Sequence, residues 1–336
     1  GFRQFAAPPD PLYPSGRATA DVPDRARRAI ADLVGGDPAG VVLGNSRFSL
    51  LSALGESLLA SRKAVGDVVV SRTDDEENIV PWLRLAKRSG WNVRWGEIAV
   101  ETGELPSWQY ERLLSGPVSV VTVAMASSVT GVVTDLAPIA DGAGHARALF
   151  VVDATSAAPF RTLDIRKLGA DVMVVSAQRW GGPPVAAMVF ADPGRIASLE
   201  SVSLDPRATG PSRLEPERVS GALLAGTVAS VEYLANLDED AIGKRRHRLT
   251  AAISGQGEYL DRLMTYLRST LENLNQVHVI GESANRVPLL SFTVAGISAD
   301  KVVRRLADNG IRALTGIPSR ALDVMGVNDF GGAITI

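Results

Sequence analysis

Short apolar runs recur along the first two thirds of the chain, and each is followed by a polar turn and a stretch of helical spacing. The run at residues 41–43 leads through Gly44, Asn45 and Ser46 into a pattern of leucines that fits a helix. Similar runs occupy residues 67–71, 118–126 and 148–153. Runs that are apolar at nearly every position are typical of strands covered on both faces. The pattern predicts an α/β fold, with a large domain whose mainly parallel sheet is flanked by helices.

The pattern changes after about residue 240. A basic-to-amphipathic helix is predicted over residues 244–267, strands over 277–280 and 289–294, a helix over 299–309, and a last strand near Ala333. We therefore predict a large domain over residues 1–240, with an N-terminal arm over 1–25, and a smaller C-terminal α/β domain over 241–336. The Pro- and Gly-rich segment 204–218 is predicted to be a mobile or partner-facing loop.

Charge and composition narrow the function classes. The 336 residues include 35 Lys and Arg against 37 Asp and Glu, for a formal net charge of -2. Because this balance gives no attraction to polyanions, we expect neither nucleic acid nor a membrane as partner, and the basic run 244–248 is interpreted as a solvated helix face. A small-molecule ligand is the remaining expectation.

Cysteine is absent, which excludes disulfides, cysteine-ligated metals and any thiol nucleophile within this sequence. The three histidines fall in unrelated contexts and suggest neither a metal site nor a catalytic triad. No apolar stretch approaches the roughly 20 residues of a membrane-spanning helix, and the first residues do not resemble a signal peptide. We expect a cytoplasmic protein.

Polar residues close several predicted strands, which is where open α/β sheets bind ligands. Asp153 follows one apolar run, Ser176 follows the next, and Ser127-Ser128-Val129-Thr130-Gly131 follows the run before them. Singly, such residues are ordinary helix caps or turn formers. Their occurrence together and in order favours a shared site.

These segments resemble a known family. Val151-Val152-Asp153-Ala154-Thr155-Ser156, followed by Ser176-Ala177-Gln178-Arg179-Trp180-Gly181-Gly182-Pro183, resembles the cofactor segment of class V aminotransferases of the cysteine desulfurase type. Asn78-Ile79-Val80-Pro81-Trp82 and residues 127–131 resemble two further family stretches. The resemblance implies a fold-type I pyridoxal-phosphate enzyme.

The resemblance also implies roles for single residues. Asp153 would pair with the pyridine nitrogen and Ser176 would help to hold the phosphate, with Ser128 and Ser156 in the same cofactor site. Gln178 and Arg179 stand where the family keeps a histidine and the Schiff-base lysine. An arginine stays protonated and cannot form an imine.

Other departures fall in the same site. Glu76 stands where the family has the imidazole that stacks on the cofactor ring, and a carboxylate has no aromatic face. The phosphate turn contains Ser46 and Arg47, of which Arg47 could contact a phosphate. Thr335 falls near the family's arginine for the substrate carboxylate. The desulfurase cysteine is missing.

No other lysine is a clear substitute. Solvated helix faces or flanking turns are predicted for the candidates, which are Lys63, Lys87, Lys167, Lys244 and Lys301.

Three functions remain open. The favoured one is a pseudoenzyme or repurposed binding protein lined by Glu76, Gln178 and Arg179. The alternative is an atypical aminotransferase that holds pyridoxal or pyridoxamine phosphate non-covalently, and an absence of any cofactor is equally compatible with the residues. The third, a Rossmann-type dehydrogenase, fits the α/β order, but this sequence has no G-x-G-x-x-G turn after the first strand. The resemblance implies a homodimer in which residues 204–226 cross between subunits.

Overall fold

The computed structural model describes residues 13–61 and 66–336. Residues 1–12 of the predicted N-terminal arm, and the candidate Lys63, lie outside this part of the chain.

Seven strands form the larger sheet, in the order β1-β7-β6-β5-β4-β2-β3. The strands are β1 (Val41–Gly44), β2 (Asp67–Ser71), β3 (Val93–Gly96), β4 (Val118–Ala124), β5 (Leu149–Asp153), β6 (Val172–Ser176) and β7 (Ala186–Phe190). Neighbours from β3 through β6 are parallel, whereas β7 is antiparallel to both β6 and β1. The predicted mainly parallel sheet is confirmed, and β7 is its exception.

Helices lie on both faces of this sheet, and alternate strand residues point into two separate apolar layers. In β5, Phe150 and Val152 belong to one layer, and Val151 belongs to the other. This two-sided burial explains why the strand sequences are apolar throughout. The helices in this part of the chain are α1 (Pro14–Ala20), α2 (Val22–Val34), α3 (Arg47–Ala60), α4 (Glu76–Ser89), α5 (Tyr110–Leu113), α6 (Ala137–Ala146), α7 (Gly194–Ala197), α8 (Gly221–Ala235) and α9 (Arg245–Glu272).

A second, antiparallel sheet follows, in the order β10-β11-β9-β8. Its strands are β8 (Val277–Ile280), β9 (Ser291–Val294), β10 (Leu314–Thr315) and β11 (Ile334–Thr335), accompanied by α10 (Ala299–Asp308) and α11 (Arg320–Val324). Phe292 and Ile334 pack with Ala299 in a core of their own. The smaller C-terminal α/β unit therefore has the predicted elements, while the boundary near residue 240 stays a prediction.

The segment 204–218, predicted as a loose loop, is tied to the large sheet near Leu214 and Glu215, and Leu214 is buried in one of its apolar layers. The Glu215 carboxylate accepts hydrogen bonds from Arg27 of α2 at 2.6 Å and from the backbone N–H of Leu43 in β1 at 2.9 Å. Burial raises the pKa of Glu215 despite the nearby Arg27. By contrast, Leu204 is 87% exposed, so the two ends of the segment differ in how firmly they are held.

Among the described residues, no helix combines the length and apolar character needed to cross a membrane.

Candidate functional site

The carboxyl ends of β4 and β5 converge on a buried aspartate. Asp153, the last residue of β5, is 3% exposed. Its Oδ1 accepts a hydrogen bond from the backbone N–H of Thr155 at 2.9 Å, and its backbone carbonyl accepts one from Met125 at 2.8 Å. The predicted strand-end position of Asp153 is thus observed. A carboxylate so removed from water needs a compensating cation or proton.

The cation is Arg47. Its Nη1 pairs with Oδ2 of Asp153, its Nη2 lies 3.0 Å from Asp75, and its Nε lies 3.0 Å from Glu77. Each guanidinium nitrogen therefore contacts a different carboxylate. Burial alone would lower the pKa of Arg47, but the three carboxylates outweigh it and hold the pKa above its ordinary value.

Arg47 reaches this position from the start of a helix. Ser46 caps α3, because its Oγ accepts a hydrogen bond from the backbone N–H of Ser49 at 3.0 Å, and Arg47 is the first helical residue. A cation at a helix N-terminus opposes the helix dipole by about 0.3–1 kcal/mol. The surrounding carboxylates offset that cost, so the arginine is held here by its partners rather than by helix preference.

A second buried carboxyl lies beside this group. Asp74 is 4% exposed and accepts hydrogen bonds from the Ala124 N–H and from Asn78 Nδ2, both at 2.7 Å. Burial raises its pKa to about 8, with the charges of Asp153 and Asp75 adding to the rise and the two donors opposing it. Asp74 is therefore mainly protonated at neutral pH.

The resulting site is acidic. With Asp74 neutral, one guanidinium faces the carboxylates of Asp75, Glu77 and Asp153, which leaves an excess of negative charge. The Ser128 hydroxyl donates to Asp75 and adds no positive charge. Within residues 13–61 and 66–336, no group of three or more histidine or acidic side chains has an arrangement that could hold a metal ion.

Of the other predicted cofactor residues, some contact this group and some do not. Ser128 joins it through Asp75, and Ser46 supports it as the cap of α3. Ser156 is buried just beyond Asp153, and Ser176 ends β6. In the described part of the chain, neither of these two hydroxyls makes a hydrogen bond.

Glu76 points to a different partner. Its carboxylate pairs with Arg320 of α11 at 2.7 Å, and the Arg320 guanidinium lies 5.1 Å from the ring centre of Trp95. Arg72 lies over the same ring at 4.1 Å. Glu76 thus links α4 to the C-terminal unit, while its neighbours Asp75 and Glu77 hold Arg47. Its predicted place in the site stays a prediction.

Gln178 and Arg179 lie on the 3-10 turn Ala177–Trp180 that follows β6. Both are exposed. Neither side chain makes a hydrogen bond or an ion pair with any described residue, and the cation that pairs with Asp153 is Arg47. Arg179 instead lines a cavity beside α8 and α9.

Sequence reasoning missed Asp75 and Glu77 as partners of Arg47, and Asp74 as a buried acid. The available signal was the run of four acidic residues at 74–77 directly before a helix. Acidic residues favour a helix N-terminus by themselves, so that run has an ordinary explanation that conceals its role.

Comparison with known proteins places the chain in a family. The sequence model for aminotransferase class V matches residues 12–328. An uncharacterized protein of Mycobacterium tuberculosis is 51% identical over 336 residues, which make up 100% of this chain and 84% of that protein. An aminotransferase-like protein of Gibberella zeae is 26% identical over 87% of this chain and 71% of its own length.

Solved structures give the same fold. The cysteine desulfurase CsdA from Escherichia coli matches with a TM-score of 0.84 at 19% identity, over 99% of this chain and 84% of that chain. With the family match over residues 12–328, the large mixed sheet and the smaller antiparallel sheet therefore have a common explanation: the chain belongs to the class V aminotransferase family, whose fold it shares with the cysteine desulfurases.

Proposed function

We propose that this chain does not carry out Schiff-base catalysis with pyridoxal phosphate, and that it acts as a pseudoenzyme or repurposed binding protein on the class V aminotransferase fold. Members of the family use pyridoxal phosphate. The observation that carries the proposal is the pairing of Asp153 with Arg47. The carboxylate that the family offers to the cofactor ring is already paired from within the chain.

Both oxygens of Asp153 are engaged, one by the Arg47 guanidinium and the other by the Thr155 N–H. The side chains of Arg47 and Asp153 are 9% and 4% exposed. A pyridinium nitrogen could reach Asp153 only if Arg47 moved away, which would separate a buried ion pair. Removing one partner of such a pair costs roughly 3–5 kcal/mol.

The phosphate group fits no better. It would bring a charge of about -2 next to the carboxylates of Asp75 and Glu77, while the guanidinium that could have received it is shared among three carboxylates. Two like charges 4 Å apart repel by about 4 kcal/mol at a typical protein-surface dielectric. This geometry therefore does not fit pyridoxal phosphate.

The turn after β6 supports the same conclusion. Arg179 occupies the position of the family lysine by resemblance, and a guanidinium cannot form an imine. Among the described lysines, Lys87 is in the last turn of α4, Lys244 precedes α9, and Lys301 is in α10. The fourth, Lys167, is exposed in the turn before β6. None of these lies at the carboxyl end of a strand of the large sheet.

The alternative is an atypical aminotransferase that binds pyridoxal or pyridoxamine phosphate without a covalent bond. The free hydroxyls of Ser156 and Ser176 favour it, since they remain available to an anion. It requires Arg47 to exchange Asp153 for the phosphate, which would leave Asp153 to the ring nitrogen.

We also propose a homodimer, in which residues 204–226 cross to the second subunit. The exposed Leu204 supports an apolar contact at the start of this segment, and Glu215 anchors its middle. Light scattering at micromolar concentration should give twice the monomer mass. A monomer would refute the dimer without affecting the argument from Arg47.

The experiment for the main proposal is a titration of the purified protein with pyridoxal phosphate, followed by visible absorbance and by mass spectrometry after borohydride reduction. We expect no saturable absorbance change and no stoichiometric adduct. A saturable change without an adduct would establish the non-covalent alternative. One reduced adduct per chain at a defined lysine would refute both.

A further inference from the structure

A cavity of about 660 Å³ lies beside the turn that carries Arg179. Four segments of chain form its walls: the loop after β5, the 3-10 turn after β6, the end of α8 and the middle of α9. This volume is within the range of about 300–1,000 Å³ that small-molecule sites occupy. The cavity is separate from the group formed by Arg47 and Asp153, none of whose members lines it.

The walls are rich in aromatic surface. Phe160, Trp180, Tyr233 and Tyr259 all line the cavity, although only 5% of the chain is aromatic. The Trp180 indole N–H donates to Ser230 Oγ at 3.0 Å, which fixes the orientation of the ring. Tyr233 and Tyr259 are 66% and 55% exposed. Such rings are suited to hold another flat, apolar group between them.

Two polar side chains that line the cavity have a group without a partner in the described part of the chain. The Arg179 guanidinium makes no ion pair or hydrogen bond there. The side-chain amide oxygen of Gln256 is buried and accepts no hydrogen bond. A buried acceptor without a donor is uncommon in folded proteins and costs about 1–3 kcal/mol. A ligand that supplied an anion to Arg179 would satisfy the first, and a donor on that ligand would satisfy the second once the Gln256 side chain turned toward the cavity.

Two glycines of α9 show where the helix is closely packed beside the cavity and where space is open. Gly257 brings α9 so close to the loop after β5 that a Cβ there would lie 2.9 Å from the Phe160 carbonyl oxygen. Gly255 lies two residues earlier on the same helix. It lines the cavity, and a Cβ there would meet no atom within 4 Å. The space in front of Gly255 is thus available to a ligand.

We propose that this cavity binds a small aromatic carboxylic acid that carries a hydroxyl or N–H donor. The carboxylate pairs with Arg179, the donor satisfies Gln256, and the ring lies among the aromatic walls. Asp238 also lines the cavity, and its negative charge favours a monoanion over a phosphate. The inference rests on the proposed function, because it needs Arg179 to serve as a binding residue and not in imine chemistry.

The test uses isothermal titration calorimetry with three probes of increasing length: 4-hydroxybenzoate, 4-hydroxyphenylacetate and 3-(4-hydroxyphenyl)propionate. At least one should bind with a Kd below about 1 mM, as ligands of this size can. Removing its hydroxyl, or converting its carboxylate to the amide, should weaken binding about tenfold or more. If that probe, its analogue without the hydroxyl and its amide all bound equally well, the assignment of Arg179 and Gln256 would be overturned.

Variants locate the site. Gly255→Leu should abolish binding by filling the open space. Gly255→Ala is the matched control at the same position and should bind within about twofold of the wild type. Arg179→Gln should lose about tenfold or more, and Arg179→Lys should retain part of the affinity. Binding that is unchanged in Gly255→Leu would refute the site.

Two further outcomes distinguish a failure of the cavity assignment from a failure of the proposed function. If pyridoxal phosphate forms an imine while the aromatic acid still binds in a Gly255-dependent way, the proposed function fails and the cavity assignment stands. If no aromatic acid binds and Gly255→Leu converts a dimer to a monomer, a second copy of the chain covers the cavity and the ligand assignment is refuted.

Discussion

Replacing Arg47 by alanine removes the cation shared by Asp153, Asp75 and Glu77. The three pairs are not equal, because the carboxylate side chains are 4%, 26% and 47% exposed, respectively. Leaving the buried Asp153 unpaired should cost roughly 3–5 kcal/mol, whereas the two more exposed pairs contribute about 1 kcal/mol or less each. Relief at the helix N-terminus returns up to about 1 kcal/mol. We expect a net loss of about 4 kcal/mol.

The loss can be measured as the free energy of unfolding in urea. Arg88→Ala is a suitable control, since Arg88 also pairs with a carboxylate, Glu56, but both side chains are more than half exposed. It should lose less than about 1 kcal/mol. Guanidinium ions at a few tens of millimolar should restore part of the stability of Arg47→Ala, compared with sodium chloride at the same concentration. They should not raise the stability of Arg88→Ala. Equal losses in the two variants would refute the reasoning.

The remaining predictions concern other parts of the molecule. Burial raises the pKa of Asp74 from 3.8 to about 8, so its stabilising effect is complete below about pH 4 and is lost as the pH rises through 8; Asp74→Asn should flatten the fall of unfolding free energy between pH 5 and 8 in urea titrations. Arg286 is 4% exposed and donates to the carbonyls of Gly281 and Ser283, so Arg286→Ala should cost about 3 kcal/mol in the same assay through unsatisfied carbonyls. Arg179→Lys should give no stoichiometric borohydride-trapped adduct by mass spectrometry, because Arg47 still holds Asp153; robust adduct formation would show that one substitution restores the family chemistry. Glu76→Gln should change stability by less than about 1 kcal/mol, since its pair with Arg320 is partly exposed.

The strands that were predicted best are limited by clear turns, and not all of them are buried on both faces. Asp67–Ser71 has the predicted bounds, Val172–Ser176 ends at the predicted residue, and Val277–Ile280 has the predicted bounds. The first two are almost continuously apolar, and flanking turns limit all three. β3 was not predicted, because Val93-Arg94-Trp95-Gly96 at the sheet edge is only partly buried and mixes charge with apolar residues. The antiparallel direction of β7 depends on how the chain returns to the sheet, which no local pattern records.

For the candidate site, the sequence predicted the place but not the pairing. Asp153 was expected at a strand end, and it is there. Its partner Arg47 is 106 positions away, and that contact depends on which strands become neighbours. At the start of α4, successive side chains point in different directions, so Asp75 and Glu77 contact Arg47 while Glu76 contacts Arg320. The resemblance at the single position Glu76 does not indicate that its two neighbours have a different partner.

The position of β1 has a consequence for the order in which the chain can fold during synthesis. β1 lies at the edge of the sheet beside β7, with Val41 opposite Val189, and Leu43 is further held by Glu215. A ribosome that has produced the chain only as far as residue 100 has made β1 but none of these partners. The parallel strands β2, β3 and β4 can associate earlier, so β1 must remain unpaired until a late closure over a long loop. We therefore expect the segment that contains β1 to stay exposed to chaperones and proteases until β7 has been made.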